Sequence, residues 1–318
     1  MMRAIGQRML HLVAVLFLVS VSALILVDLA PGDPALEVLG PEASDEQIAS
    51  IHRELGLDKP LPTRYVEWVG DALHGDLGRS FRTKLPVAHE IRSRIPVNLE
   101  LSALALILAL LVAIPLGAYA AHVREGRFDR ASSGVTSLML SSPPFLTATL
   151  LVFILSVKLK LLPVAGWTPM TEDLHQNLRH VALPVFAMAM LELAQFARLL
   201  RSDMVDTLDQ DYILAARAIG LPRRQILFRY AFRPSSISLV TVAGIALGRL
   251  IGGTVIMEQI FALPGLGRLV LTAISGKDII VVQGVVLFVG TVYVALNMII
   301  TVVYAWLDPR IRALTAHG

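Results

Sequence analysis

Few residues of this chain have the types and spacing that catalysis requires. The chain has no cysteine, so a thiol nucleophile, a cysteine zinc site and an iron-sulfur cluster are excluded. Its eight histidines are scattered, and His175 with His180, five residues apart, fits a loop coincidence better than a metal pair. The patterns H-E-x-x-H and G-x-S-x-G do not occur. We therefore predict no catalytic residue, no metal site and no enzyme activity for the isolated chain.

The sequence also has no complete phosphate-binding loop. Such a loop reads G-x-x-x-x-G-K-[ST], and the nearest fragment is Gly276-Lys277-Asp278, with aspartate in the last position and Leu271 where the first glycine belongs. We expect no cofactor in this chain. Any step driven by ATP must then use ATP and Mg²⁺ that are bound by another subunit.

Composition indicates that the chain lies in a membrane. It is 55% hydrophobic and 17% charged, with a mean hydropathy of +0.67, which sets it apart from ordinary soluble domains. Six segments reach the roughly 20 apolar residues that a helix needs to cross about 30 Å of hydrocarbon. They are Leu10 to Ala30, Asn98 to Ala121, Val135 to Val157, Val181 to Leu200, Ile237 to Phe261 and Ile279 to Leu307. We predict an all-α membrane protein with six transmembrane helices.

Positive charges in the short connections predict the orientation, because arginine and lysine are enriched on the cytoplasmic side. Five lie on one side of the six spans, namely Lys158, Lys160, Arg179, Arg268 and Lys277. Fourteen lie on the other side: Arg3, Arg8, Arg124, Arg127, Arg130, Arg198, Arg201, Arg217, Arg223, Arg224, Arg229, Arg233, Arg310 and Arg312. Both termini are therefore predicted to be cytoplasmic, and the basic balance reflects topology rather than nucleic-acid binding.

The first span has features of a membrane anchor and of a secretory signal. Arg3 and Arg8 precede the apolar run, and Val21-Ser22-Ala23 is a weak cleavage pattern. The apolar run of about 20 residues is longer than the core of a typical signal, so we favour a retained anchor and leave cleavage open.

These spans divide the chain into four parts. We expect an N-terminal transmembrane helix in residues 1–30 and an extracytoplasmic region in residues 31–97. A five-helix core follows in residues 98–307, with a cytoplasmic loop at 201–235, and residues 308–318 form a cytoplasmic tail.

The extracytoplasmic region carries signals for two short helices. Ser44-Asp45-Glu46-Gln47 matches a capping box before an amphipathic run that ends at Gly56. A second apolar face follows from Tyr65 to Leu73. The region could be a cap on the outer helix ends or a docking surface for an external partner, and the sequence favours neither.

The cytoplasmic loop carries a short helix with small residues on one face. From Tyr212 to Ile219, the residues Tyr212, Ala215, Ala216 and Ile219 form one stripe, and Gly220 with Pro222 ends the helix. Alanine lets another backbone come close, so this stripe suits a groove on a soluble partner. Beyond Pro222, apolar residues Ile226, Leu227, Tyr230 and Ala231 among arginines predict a second helix at the lipid-water boundary.

Charges and glycines inside the spans are further candidates. Arg249, Glu192 and Glu258 lie in apolar segments, where a charge is costly unless it meets a cavity or a partner. Arg249 could meet a ligand carboxylate, line a water-filled pathway or pair with Glu192, and a structural or gating role is favoured slightly. Gly244, Gly248 and Gly252 recur every four residues, a pattern that favours close helix packing within the subunit or with a second one.

The chain resembles the membrane permeases of ABC importers, and the peptide subfamily in particular. Ala215, Ala216 and Gly220 match the Glu-Ala-Ala-x-x-x-Gly loop of that family, whereas Leu214 replaces the glutamate and Ser238 replaces a later proline. Five further stretches carry the resemblance, in chain order along nearly its whole length. They are Pro31-Gly32-Asp33-Pro34, GDLGRSF at Gly75 to Phe81, EQIFALPGLGRL at Glu258 to Leu269, VVQG at Val281 to Gly284 and LDPRIR at Leu307 to Arg312.

The resemblance implies one of two permeases in a dipeptide or oligopeptide importer of a prokaryotic inner membrane. Its partners would be a second permease, two cytoplasmic ATPases and an extracytoplasmic binding protein. The coupling helix would contact an ATPase through Tyr212, Ala215, Ala216, Ala218, Ile219, Gly220 and Leu221. An importer of nickel or another small solute from the same group remains an alternative, as does, less favoured, an ion-coupled secondary transporter.

Overall fold

The computed structural model describes residues 14–22, 24–25, 33–40, 42–54, 56–252 and 254–307 of the 318-residue chain. Apart from one isolated antiparallel bridge between Arg79 and Pro86, the regular structure in these ranges is helical. Contacts divide the chain into two compact units, one from Met1–Asn98 with Pro264–Val294 and one from Leu99–Leu263 with Ala295–Gly318. The predicted all-α class is confirmed.

The region predicted to be extracytoplasmic, called the external segment below, has three short helices in its described residues before Val87: α1 (Pro34–Leu39), α2 (Asp45–Glu54) and α3 (Leu61–Leu73). The predicted capping box is confirmed, because the Gln47 side chain accepts from the Ser44 N–H at 3.0 Å and the Gln47 N–H donates back to Ser44 Oγ. Helix α1 has no counterpart among the predicted helices. Asp33 caps it by accepting from the Ala35 N–H at 2.8 Å.

The helical residues 14–22 and 24–25 contact α3 within the same unit. Ser20 Oγ lies 2.8 Å from the Tyr65 hydroxyl, and the Phe17 and Tyr65 rings meet edge to face with centroids 5.8 Å apart. These contacts attach the external segment to the described part of the first predicted span. The rest of that span lies outside the described residues, as do Arg3 and Arg8 before it.

Two family-like stretches of the first unit meet in its core. In GDLGRSF, the buried Ser80 hydroxyl donates to Asp278 Oδ2 at 2.5 Å, directly before helix α12 (Ile279–Leu307). In VVQG, Gly284 lies so close to Val87 that a Cβ there would approach Val87 Cγ1 to 2.6 Å. These motif residues therefore serve packing. LDPRIR and Pro31-Gly32 extend beyond the described residues.

The second unit is built from long helices and their connections. The helices are α4 (Val87–His122, which begins in the first unit), α5 (Arg127–Ser141), α6 (Pro144–Lys158), α7 (Leu174–Leu208), α8 (Asp211–Ala218), α9 (Arg223–Gly252) and α10 (Val255–Ile260). The remaining helix, α11 (Leu266–Ser275), belongs to the first unit. Helices α4 and α7 pack closely, because a Cβ on Gly117 would lie 2.7 Å from the Ala197 carbonyl oxygen.

Helices long and apolar enough to cross a membrane number four in the described ranges, or five if α5 and α6 form one broken span. The chain bends by 101° between α5 and α6. The bend lies at Ser142-Pro143-Pro144, where two prolines end the first helix. The four are α4, α7, α9 and residues Ile279–Ile299 of α12. The first predicted span, Leu10 to Ala30, is described only at residues 14–22 and 24–25.

The fifth span differs from the prediction. The sequence predicts it at Ile237 to Phe261, with a separate interfacial helix before it, but α9 runs without a break from Arg223 to Gly252. The prediction of a separate helix was wrong because Pro234, which lies between Pro222 and the span, does not interrupt the helix. A π-helical stretch, Ile226–Phe232, precedes Pro234, and such wider turns tolerate the missing proline N–H. The helix ends at Gly252, which another glycine follows, because glycine is a poor helix former.

Candidate functional site: the coupling helix and an intramembrane ion pair

Helix α8 ends in a glycine turn that its sequence predicts. Gly220 has a φ of +78°, in the left-handed region that favours glycine. Its N–H donates to the Arg217 carbonyl at 3.0 Å, and the Leu221 N–H donates to the Ala216 carbonyl at 3.2 Å. This pair of bonds is a Schellman motif, which satisfies the last carbonyls of the helix and turns the chain sharply towards Pro222.

One side of α8 is anchored to the rest of the second unit. Ile213 and Ala216 are buried and form a small core with Ile226 of α9. Leu221 and Tyr230 pack against this core, and the Tyr212 hydroxyl donates to the Tyr230 carbonyl at 3.4 Å. Helix α8 is thereby packed against the first turns of α9.

The other side of α8 is exposed and apolar. Tyr212, Leu214, Ala215, Ala218 and Ile219 are exposed, and Ile219 is 76% exposed. The predicted stripe thus divides in the structure, since Ala216 points into the core while its other three members lie on the surface. Exposed large apolar side chains next to each other are typical of a protein contact.

A basic cavity lies beside α8, and no sequence pattern predicts it. It has a volume of about 680 Å³, and its lining includes His122, Arg124, Asp209, Arg217 and Arg223. Arg124 donates to Asp209 at 2.7 and 2.9 Å, which joins the end of α4 to the end of α7. These two residues are 85 positions apart, so no local signal in the sequence could have paired them.

Glu192 and Arg249 form an ion pair between α7 and α9. Arg249 Nη2 donates to both carboxylate oxygens of Glu192 at 2.8 Å and to Gln195 Oε1 at 3.2 Å. Glu192 is 2% exposed, whereas the Arg249 side chain is 50% exposed. The pairing that the sequence analysis considered is therefore present, and Gln195, one turn along α7 from Glu192, completes it.

The remaining candidates lie as follows. Glu258 is fully buried, and its Oε1 accepts from the Thr254 hydroxyl at 2.5 Å. Gly248 is buried, Gly244 is half-buried and Gly252 is exposed on α9. His180 lies 3.2 Å from the Thr168 hydroxyl, while His175 is exposed.

A second buried ion pair joins α5 to α7. Asp129 is almost fully buried and accepts from Arg201, with Arg201 Nη2 at 2.7 Å from Asp129 Oδ2. Its Oδ2 also accepts from the Glu125 N–H at 2.9 Å. This pair, like that of Arg124 with Asp209, holds the ends of the long helices together on the side of the unit that carries α8.

Comparison with known proteins places this architecture in a family. Residues 113–313 match the family described as "Binding-protein-dependent transport system inner membrane component", and residues 1–102 match its N-terminal companion family. A chain of the MetNI methionine ABC transporter, solved in inward-facing conformations, has a similar fold. It superposes with a TM-score of 0.51 at 15% identity, over 67% of this chain and 95% of that one.

Sequence relatives match over nearly their full length. A Brucella abortus (strain 2308) protein, named as a peptide transport system permease, is 40% identical over 96% of this chain and 98% of its own. The D,D-dipeptide transport system permease DdpB of Escherichia coli (strain K12) is 38% identical over 96% of each chain. The glutathione permease GsiC of Escherichia coli O6:H1 is 33% identical over 98% and 99%. This chain therefore belongs to the family of binding-protein-dependent transport system inner membrane components.

Proposed function

We propose that this chain is a permease subunit of an ATP-driven importer and that it forms, with a second permease, the pathway for di- or oligopeptides. The observation that carries the proposal is the exposed apolar side of α8, which a buried Ile213–Ala216 side anchors to membrane-spanning α9. The names of relatives at 33–40% identity, all peptide or glutathione permeases, support peptides as the substrate class.

In this proposal the motor is outside the chain. Two cytoplasmic ATPases bind ATP and Mg²⁺, and one of them contacts Tyr212, Ala215, Ala218 and Ile219. Their closure moves α8, and α9 transmits the movement because Ile226 is buried against Ile213 and Ala216. The membrane-spanning helices then alternate between outward and inward opening. An extracytoplasmic binding protein delivers the peptide.

The proposed topology follows from charge. Both termini and the loop at 201–235 face the cytoplasm of a prokaryotic cell, and residues 31–97 face outward, because the short connections on the α8 side hold most of the arginines. The exposure of Arg249 supports placing this face of α9 beside the pathway or against the second permease. Its side chain is half-exposed on a membrane-spanning helix, where contact with hydrocarbon would be costly.

Cross-linking tests the contact with an ATPase. The chain has no cysteine, so a single cysteine at exposed Ala218 reports only that position. We expect Ala218→Cys to capture an ATP-hydrolysing protein in cells, whereas Ala216→Cys, on the buried side of the same helix, should capture it poorly. Equal capture at both positions, or capture of none, would contradict the proposed contact.

Uptake tests the substrate class. Deletion of this chain should abolish uptake of a labelled tripeptide, and expression of the intact chain should restore it. Unchanged peptide uptake, together with loss of nickel uptake, would assign the chain to the alternative substrate. Peptide uptake that is independent of ATP and follows an ion gradient would indicate a secondary transporter.

A further inference from the structure

A small cavity lies in the first unit, between helix α3 of the external segment and the first turns of α12. Its volume is about 210 Å³, which is far more than one water molecule requires. Its lining includes Trp68 and Asp71 from α3, Asp76 from GDLGRSF and Gln283 from VVQG. The family-like stretches GDLGRSF and VVQG thus both line this cavity.

Two hydrogen-bond donors in the wall of this cavity have no acceptor. The Trp68 indole nitrogen and the Gln283 amide nitrogen are buried, and neither finds a hydrogen-bond partner in the part of the chain that the structure describes. Gln283 is 4% exposed. A buried N–H without an acceptor is destabilising, so the cavity suits an occupant that brings a carbonyl or carboxylate oxygen.

Acidic groups on the same wall restrict what that occupant can be. Asp71 is exposed one turn beyond Trp68, and Asp76 is exposed and accepts from the Gly78 N–H through Oδ1 at 2.8 Å. Glu67 also lines the cavity and pairs with Lys59 at 2.7 Å. Since Lys59 pairs with Glu67, the carboxylates of Asp71 and Asp76 face one arginine, Arg64, among the described lining residues, which leaves an excess of one negative charge. The acidic excess repels a free carboxylate and attracts an ammonium group.

We propose that this cavity binds the amino-terminal end of a peptide. The α-ammonium group lies against Asp71 and Asp76, and the first peptide carbonyl accepts from the Trp68 indole and the Gln283 amide. A simple amine would leave both buried donors unsatisfied, and a carboxylate would meet the acidic excess. The choice of a peptide, rather than another molecule with an ammonium and a carbonyl, rests on the proposed function.

Tryptophan fluorescence tests this binding directly. The chain has three tryptophans, so Trp167→Phe with Trp306→Phe leaves Trp68 as the single reporter in the permease of the assembled transporter. We expect alanyl-alanine to shift its emission in a saturable way. N-acetyl-alanyl-alanine keeps the carbonyls but lacks the ammonium, and its affinity should be lower by about tenfold or more, the usual effect of losing one charge-assisted hydrogen bond.

Variants separate the two parts of the site. Asp71→Asn should weaken alanyl-alanine binding and reduce the difference between the free and acetylated peptides. Gln283→Met keeps the side-chain length but removes the amide, and it should weaken both peptides equally. Asp58→Asn, which changes an exposed acid of the same segment outside the cavity, is the matched control. Because Asp71 is exposed, its variant should fold even where Gln283→Met does not.

The outcomes that overturn the inference are distinct from those that overturn the proposed function. No emission change with either peptide means that water alone fills the cavity, and equal affinity for both peptides means that the acids do not recognise the ammonium. Either result refutes the site while peptide uptake can remain intact. Loss of emission change in Asp58→Asn, with Asp71→Asn unaffected, would also refute it.

Discussion

Arg249 of helix α9 donates from one nitrogen to both carboxylate oxygens of Glu192 on helix α7, at 2.8 Å each. The carboxylate is buried and the guanidinium is half-exposed. Glu192 is therefore enclosed by its ion-pair partner, whereas the Arg249 guanidinium can still contact other groups. Such a pair in a membrane-spanning region ties two helices to one arrangement and resists any motion that separates them.

Removal of one partner should cost more than removal of both. Arg249→Gln leaves the Glu192 carboxylate buried without its cation, a change that costs about 3–5 kcal/mol for a fully buried pair and less here because Arg249 is half-exposed. The double variant with Glu192→Gln leaves no uncompensated charge and should recover much of that stability. Thermal unfolding in detergent measures both. Additive losses in the double variant would show that the two side chains are not coupled.

Substitutions of Gly220 should be tolerated according to how readily the new residue adopts a left-handed backbone conformation. Its φ is +78°, and apart from its chain neighbours no heavy atom of the described residues lies within 4 Å of the position that a Cβ would occupy, so strain rather than space limits substitution. Gly220→Asn should retain more transport than Gly220→Val, because asparagine enters this region far more readily than a β-branched residue. For Gly220→Val we expect ATP hydrolysis that no longer drives uptake.

Gly40 offers a matched control for that substitution. It also has a positive φ, +86°, with open space around it, but it lies in the external segment. With ψ at 168°, Gly40 lies in a backbone region that is almost exclusive to glycine. Gly40→Val therefore imposes strong backbone strain away from α8, and the ratio of ATP hydrolysed to peptide taken up should stay near that of the unaltered protein. A similar uncoupling by both valine variants would mean that strain anywhere in the chain produces the effect.

Gly117 and Gly284 should differ in whether a second substitution rescues them. Alanine at either position overpacks a helix contact, with an expected cost of about 1–3 kcal/mol. At Gly284 the new atom meets the Val87 side chain at 2.6 Å, so Val87→Ala should restore stability. At Gly117 it meets the Ala197 backbone carbonyl at 2.7 Å, which no side-chain change can move. Unfolding temperatures of the single and double variants provide the measurement, and failure of Val87→Ala to rescue Gly284→Ala would contradict the contact.

The external segment should lose packing in acid because of Asp33. The His52 ring nitrogen lies 2.8 Å from Asp33 Oδ1, and this hydrogen bond holds the pKa of Asp33 below its ordinary value, against the opposing effect of burial. A carboxyl whose folded pKa is lowered stabilises the fold above its unfolded pKa of about 3.9 and loses that contribution as pH falls through the folded value. Pepsin cleavage within residues 33–54 should therefore increase below about pH 4.

The Asp33→Asn variant isolates that effect. Asparagine can still cap helix α1, but it has no carboxylate to titrate, so its cleavage should depend less on pH over the same range. Asp45→Asn alters another acid of the segment, at the exposed start of α2, and should behave like the unaltered protein. Equal acid sensitivity in all three proteins would rule out Asp33 as the cause.

Local sequence patterns were sufficient to predict the membrane class, most of the spans and several helix ends of this protein. Apolar runs predicted the membrane class and most of the spans, because the hydrocarbon layer sets their length. Ser44 with Gln47 predicted a helix start and Gly220 with Pro222 a helix end, since each pair acts on backbone groups within one turn. The continuity of α9 was missed, because the helix predicted beyond Pro222 runs through Pro234 into the fifth span.

Tertiary structure alone decided which distant residues meet. Glu192 and Arg249 are 57 positions apart, and Ser80 and Asp278 are 198 apart, so their contacts depend on how helices pack rather than on any neighbouring residue. The same packing buries Ala216 while it leaves Ala218 exposed, although both are alanines on one short helix. A sequence specifies each helix through interactions within a few residues, whereas the faces that come into contact are selected only when the helices close around a common core.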